Sequence, residues 1–269
     1  MRPVRKPEGA ILRAVPKPIM RMAEAVVAAV DPDKVILFGS QARGDIHEGS
    51  DVDLLVIVGD DRDEREASAA AREALKRVKP WCDVFVARDI RLRRRGRAVG
   101  TIFRPALADG RLLYDAVASP QWDESRRAAV LEVDPLTDRE RQATTTEWLN
   151  RARGDVRVAE AAADTRPPAL ATLCYLCQQA AEKALKAVLV YLQIDYPLSH
   201  DLDAVRDLIP GDWLVKLEYP ELKWLARWAI EGRYPGNDPT AAEAQNALEV
   251  ARGILASVER DLRAHGYGE

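Results

Sequence analysis

Val35-Ile36-Leu37-Phe38-Gly39-Ser40-Gln41-Ala42-Arg43-Gly44, followed from Asp51 by Asp51-Val52-Asp53-Leu54-Leu55-Val56, is the stretch on which the reading turns. An apolar run that meets a Gly-Ser pair is the pattern of a buried strand turning straight into a helix. Gly39 lets the backbone approach a ligand closely, and the free N–H groups of the helix start, with the Ser40 hydroxyl, favour a phosphate. Asp51 and Asp53 stand at i and i+2 where a second apolar run begins, so strand alternation points both carboxylates to one side. Two carboxylates held together repel unless a cation lies between them, and hard oxygen ligands suit Mg²⁺. Asp83, near the start of the next apolar run, supplies a third carboxylate. Taken singly, Gly-Ser turns and Asp-x-Asp pairs are ordinary turn and capping chemistry. Their order on one strand–turn–helix–strand frame predicts a site for metal-assisted phosphoryl or nucleotidyl transfer.

Working outward, Ile19, Met22, Ala23, Val26, Val27 and Val30 recur at helical spacing, and Asp31-Pro32-Asp33 ends that helix. Strands are expected at Val35–Phe38, Val52–Val58 and about Cys82–Val86, with a helix between the last two over about 62–79. Two short helices and a strand at Arg111–Tyr114 close an α/β unit. After Val117 the strand signals cease. Thr137-x-x-Glu140 opens a helix to about Ala163, where Arg166-Pro167-Pro168 follows. A long apolar stripe from Leu170 to Leu192 makes the next helix, over roughly 169–193. Shorter helices are expected near 200–208 and 221–231, and Thr240-x-x-Glu243 caps a last one to about Leu262. The rear half reads as an all-α bundle. The expected division is a flexible arm over 1–18, an α/β domain over 19–117, a linker over 118–136 and a helical bundle over 137–265.

The 47% apolar content of 269 residues is enough for one or two buried cores. The net charge of −3 hides an asymmetry: Lys and Arg number 22 against 18 Asp and Glu through residue 117, then 18 against 25. A positive front half fits a domain that meets an anion. No apolar run is long enough to span a bilayer, and no leader-like segment opens the chain, so a cytoplasmic protein is expected. Three cysteines argue against a disulfide framework, and three histidines against a histidine-built zinc site.

The wording from Leu37-Phe38-Gly39-Ser40 through Ser50-Asp51-Val52-Asp53-Leu54 resembles the minimal nucleotidyltransferases of the DNA polymerase β superfamily over about residues 19–116. The resemblance implies that the Gly39-Ser40 turn holds a triphosphate and that Asp51 and Asp53 bind Mg²⁺. It also implies that Asp83 completes the metal site and assists the attacking hydroxyl. Arg43 is a candidate phosphate contact. Gln178-Gln179-Ala180-Ala181-Glu182-Lys183-Ala184-Leu185-Lys186, Ser199-His200-Asp201-Leu202 and Gly232-Arg233-Tyr234-Pro235 make residues 140–262 resemble a HEPN domain. The arrangement is similar to kanamycin nucleotidyltransferase and to transferase–HEPN toxin–antitoxin pairs. The expected fold is therefore an α/β nucleotidyltransferase domain with a short mixed sheet, followed by an all-α bundle. The expected activity moves AMP from ATP, with two Mg²⁺ ions, onto a hydroxyl of a protein or small molecule. A homodimer through the helical domain is expected, and neither a membrane nor a nucleic-acid partner is favoured. The alternatives are a HEPN ribonuclease toxin fused to its transferase antitoxin, and a nucleotide-binding module without turnover.

Lesser signals have plain explanations. Arg260-x4-His265-x-Tyr267 fits the ribonuclease motif of many HEPN proteins, but it lies at what reads as a fraying chain end. Six arginines between Arg88 and Arg97 lack interleaved aromatics, so they read as a solvated helix face or a screen for a triphosphate. Cys174-x-x-Cys177, without a second pair, and Trp224 with Trp228 read as bundle core. His200 is expected to follow a Ser199 cap and bond locally.

Overall fold

The computed structural model describes residues 14–45, 50–76, 78–79, 81–118, 122, 128, 131–197, 199–232, 236 and 238–268. The described chain divides into two compact units, one from 1–97 and 101–135, the other from 98–100 and 136–269. Among the described residues no helix is long and apolar enough to cross a membrane.

The first unit runs α1 (Lys17–Val30), β1 (Lys34–Phe38), α2 (Gly39–Arg43), β2 (Val52–Val58), α3 (Glu64–Leu75), β3 (Cys82–Arg88), α4 (Asp89–Arg95), α5 (Phe103–Asp109) and β4 (Arg111–Asp115). Asp31, at φ 50, stops α1, and the Asp63 carboxylate caps α3 by accepting from the N–H groups of Arg65 and Glu66. The four strands lie in the order β3-β2-β1-β4. β1 is antiparallel to both its neighbours, whereas β2 and β3 run parallel. A parallel pair needs a crossover, and α3 provides it. Alternation then sorts the sheet into two buried faces. Val35, Leu37, Leu54, Val56 and Val84 pack with α1 and α3, while Ile36, Phe38, Leu55, Ile57 and Ala87 pack with α4 and α5. Asp53 belongs to the second series by parity. It is the polar member at the end of an otherwise apolar face.

In the second unit α6 (Asp138–Ala163), α7 (Leu170–Leu192) and α12 (Ala241–Ala264) are the long helices, with α8 (Leu202–Asp207), α9 (Leu214–Glu218), α10 (Lys223–Ala226) and α11 (Trp228–Glu231) between them. The Thr137 hydroxyl accepts from Glu140 N–H, and Thr240 with Glu243 forms a complete capping box. α7 is buried along most of its length, so it serves as the axis of the bundle. The 221–231 helix begins only at Lys223 and is interrupted at Arg227. α9 is unexpected, and its cap explains why. The buried Asp261 carboxylate, far along the chain on α12, accepts from the N–H groups of Leu214 (2.9 Å) and Val215 (3.0 Å).

Candidate functional site

The antiparallel register of β1 and β2 sets Phe38 opposite Asp53, and the parallel register of β2 and β3 sets Asp53 beside Asp83. The end of β1, its Gly-Ser turn and the two acids thus meet at one corner of one face. Gly39 is at φ 72, a backbone region that strains any other residue. A Cβ there would fall 2.2 Å from Asp53 Oδ2. The Asp53 carboxylate therefore lies directly against the Gly39 Cα, in space that only glycine leaves open. Ser40 is half-buried in the first turn of α2, which Gly44 ends in the left-handed region at φ 87. Gln41 Nε2 donates to the Ser50 carbonyl at 3.4 Å and so ties α2 to the residue before Asp51. Arg43 is exposed on the same helix, with Nε and Nη2 each 3.2 Å from Asp45 Oδ2. Asp51 and Asp83 are exposed, and Asp53 is half-buried.

Asp53 feels its acidic neighbours. Burial raises the Asp53 carboxyl above the usual aspartate range, the charges of Asp83 and Asp51 raise it further, and Arg43 opposes them. The Cys82 thiol is pushed up to about 12 by burial and then by Asp53, Asp83 and Asp51. A held, inert thiol beside three acids marks a strongly negative corner. Among the described residues no group of three or more His, Cys, Asp or Glu side chains is gathered tightly enough to hold a metal ion by itself. A half-buried carboxylate whose proton affinity is raised by two exposed acidic neighbours nonetheless suits a divalent cation, because Mg²⁺ typically takes one or two carboxylates together with substrate phosphates.

Sequence reasoning assigned Gly39 to ligand approach and missed its fit to Asp53, since parity alone does not say which residue β1 faces. It also passed over Gln41, whose bond to Ser50 carries no motif.

The other signalled residues lie elsewhere. His200 does not bond locally: its Nδ1 lies 3.0 Å from Oε2 of Glu182, on α7. The cap of α8 is Asp201, and the Ser199 hydroxyl accepts from Asp201 N–H. Glu182 also accepts from Lys186 at 2.6 Å and Gln178 at 2.9 Å, a buried polar knot whose sequence members are helical neighbours. Burial raises the Glu182 carboxyl, but the bonds from Lys186, His200 and Gln178 outweigh it and hold it below its usual range. Cys174 and Cys177 are buried in the bundle core, and burial lifts their thiols to about 11 and 12. Trp228 is buried there and Trp224 packs against it at the margin. Within the arginine run, Arg88 and Arg91 pair with Glu64, and Arg93 pairs with Asp60 and Asp89. Arg233, Tyr234 and Pro235 lie outside the described residues.

Arg260 and His265 correct the picture of a fraying end. Arg260 Nη2 donates to both Glu218 carboxylate oxygens and to Ser257 Oγ. The His265 ring stacks on Trp213 with centroids 4.3 Å apart, and its Nδ1 lies 2.7 Å from the Asp261 carbonyl. The Tyr191 hydroxyl donates to the His265 carbonyl, and the Tyr267 and Thr146 hydroxyls are 2.7 Å apart. The helix end is held by side chains from α6, α7 and Trp213, contacts distant in sequence. His265→Ala should therefore cost about 1 kcal/mol, in line with one aromatic stack, and leave the transfer activity expected from the sequence unchanged. Thermal melting and a transfer assay check this; a more than threefold loss of transfer would give His265 a role beyond packing.

Residues 19–100 match the nucleotidyltransferase domain, and residues 145–261 match the HEPN domain. The chain is thus an N-terminal nucleotidyltransferase domain joined to a C-terminal HEPN domain. Among solved structures it is similar to TT1696 from Thermus thermophilus, at 28% identity and a TM-score of 0.38 over 44% of this chain and 98% of that one. It is similar to ST0689, an archaeal HEPN homologue, at 23% identity and a TM-score of 0.35 over 43% of this chain and 95% of that one. It is also similar to the spectinomycin adenyltransferase AAD(9) from Enterococcus faecialis, determined with ATP and spectinomycin. There the identity is 10% and the TM-score 0.38, over 89% of this chain and 98% of that one. No curated protein sequence matches the chain.

Proposed function

We propose that the first unit transfers a nucleoside monophosphate, AMP from ATP, onto an acceptor hydroxyl with release of pyrophosphate. The observation that carries the reading is the contact of the Asp53 carboxylate with Gly39, which makes the phosphate-binding turn and the acids one site. The Ser40 hydroxyl and the N–H groups of the turn hold the β- and γ-phosphates, with Arg43 as a further cation. Asp51, Asp53 and Asp83 would hold Mg²⁺, which when bound neutralises charge on the phosphates and favours departure of pyrophosphate. Asp83, exposed at the sheet edge, accepts the proton of the acceptor hydroxyl as its oxygen bonds to the α-phosphorus and the bond from that phosphorus to the bridging oxygen breaks. Phosphate and metal chemistry is what these side chains provide; the preference for adenine rests on the family resemblance.

The test is to incubate the protein with Mg²⁺, α-labelled ATP and cell extract, and to identify what acquires label. Absence of both label transfer and pyrophosphate release would refute the reading. Metal dependence has a predicted pH course. Binding Mg²⁺ requires ionised carboxylates, and the Asp53 carboxyl holds its proton more tightly than usual, so Mg²⁺ affinity should fall as pH drops toward that raised range. Mg²⁺ titrations of the protein by calorimetry between about pH 4.5 and 8 check this. The Asp53→Asn protein should show a flatter course.

A further inference from the structure

β3 is an edge strand whose charged residues, Asp83 and Arg88, lie toward its ends, with Glu64 guarding the Arg88 end. The peptide directions follow from two bonds. Val52 N–H donates to the Trp81 carbonyl, so the Trp81 carbonyl faces β2; Arg88 N–H donates to Glu64 Oε1 at 2.9 Å, so Arg88 faces away from it. Alternation then turns the N–H and C=O groups of Val84 and Val86 outward, and among the described residues they have no partner. The strand carries no proline, and its pairing with β2 runs without a bulge over seven residues. Beside these groups Trp81 is 69% exposed and Phe85 37%, whereas the Val84 side chain is buried. A groove of about 230 Å³ is lined by Val84–Ala87 of β3 and Leu55 of β2, together with Ser68 and Arg72 of α3 and Arg91, Ile102 and Phe103. Arg91 is paired with Glu64, but Arg72 has no ion-pair partner among the described residues.

We propose that the outer edge of β3 takes an extended peptide of a partner protein as an added strand, with an acidic side chain of that peptide meeting Arg72. Main-chain bonds to Val84 and Val86 supply the affinity, and the groove and Arg72 supply the selection. Asp83 lies on the same strand, so the peptide is also the acceptor, its hydroxyl side chain presented beside Asp83. This second part rests on the transfer reading above.

Panning a displayed library of random extended peptides against the full-length protein, without nucleotide, tests the docking. The enriched peptides should carry Asp or Glu and should slow amide exchange at Val84 and Val86 at least tenfold. N-methylation of alternate amides in the peptide should cost at least tenfold in affinity, and so should Arg72→Glu, a surface change that leaves the fold intact. No enrichment, protection elsewhere, or indifference to N-methylation would overturn the proposal. Protection of Val84 and Val86 that grows with protein concentration alone would also overturn it, in favour of pairing between two copies. The acceptor role is read separately, with Mg²⁺, α-labelled ATP and an enriched peptide that contains Ser, Thr or Tyr. If that peptide stays unlabelled while another acceptor in extract takes label, the acceptor role fails and the transfer reading stands. If nothing takes label, the transfer reading fails, while docking is still decided by the exchange and affinity measurements.

Discussion

The Asp53→Asn protein should keep its fold and lose nucleotidyl transfer by about 100- to 1,000-fold or more, the scale on which removal of one preorganised charge-stabilising group acts. Asp53 is the central acid of the three, with Phe38 on one side in register and Asp83 on the other. An amide keeps the shape and removes the charge, so a metal held there loses an anionic ligand while the strand keeps every main-chain bond. Stability moves the other way. Burial, then Asp83 and Asp51, raise the Asp53 carboxyl. A group whose folded affinity for the proton exceeds its unfolded one contributes stability in acid, and that contribution is lost as pH rises through the raised range. At neutral pH without metal, ionised Asp53 is therefore a cost, reduced by the solvent that still reaches it. Removing it should leave the melting temperature unchanged or raise it by about 1–3 °C. Added Mg²⁺ should raise the melting temperature of the native chain but not of the variant. Asp51→Asn should abolish transfer as well, with a smaller stability change because Asp51 is exposed. Melting in EDTA and in Mg²⁺, with a label-transfer assay, decides the matter. Full activity in Asp53→Asn would remove the metal site from the mechanism.

Local patterns made much of this architecture readable. The strands at Val52–Val58 and Val35–Phe38 announce themselves through apolar runs, and the long helices through their stripes and threonine caps. What stayed hidden depends on contacts between residues far apart in the chain. α9 is capped by Asp261, some 46 residues later, and the N-cap position itself is held by Trp213, which has no capping side chain. His200 stands beside a plausible local cap and instead reaches Glu182, because the bundle places α7 next to that loop. The Arg260–His265 segment looks like a loose tail until Trp213, Tyr191 and Thr146 are seen to hold it. The site divides along the same line. Parity alone puts Asp51 and Asp53 on one side. That Asp53 lies against Gly39, and that β3 joins in parallel to bring Asp83 alongside, follows only from the pairing of strands.

That pairing makes Gly39→Ala the most discriminating substitution in the molecule, because it carries two separable penalties. The first belongs to the backbone. At φ 72 a residue with a Cβ is strained by about 1–2 kcal/mol, a fall in melting temperature of about 2–8 °C. The second belongs to the site. The new methyl would stand 2.2 Å from Asp53 Oδ2 and 3.1 Å from its Cγ, so the carboxylate has to swing away. A displacement on that scale should reduce transfer at least about 100-fold even in molecules that remain folded. The two effects come apart in an Asp53→Ala background. There Oδ2 and Cγ are gone and only Cβ remains, 3.5 Å from the added methyl, an ordinary contact. Gly39→Ala should then cost the backbone strain alone. The double-mutant cycle should give a coupling of about 0.5–2 kcal/mol in stability, as for residues in direct contact. Denaturant unfolding of the four proteins measures it. Additive costs, agreeing within about 0.3 kcal/mol, would mean that the Asp53 carboxylate does not rest on Gly39, and the turn and the acids would no longer count as one site.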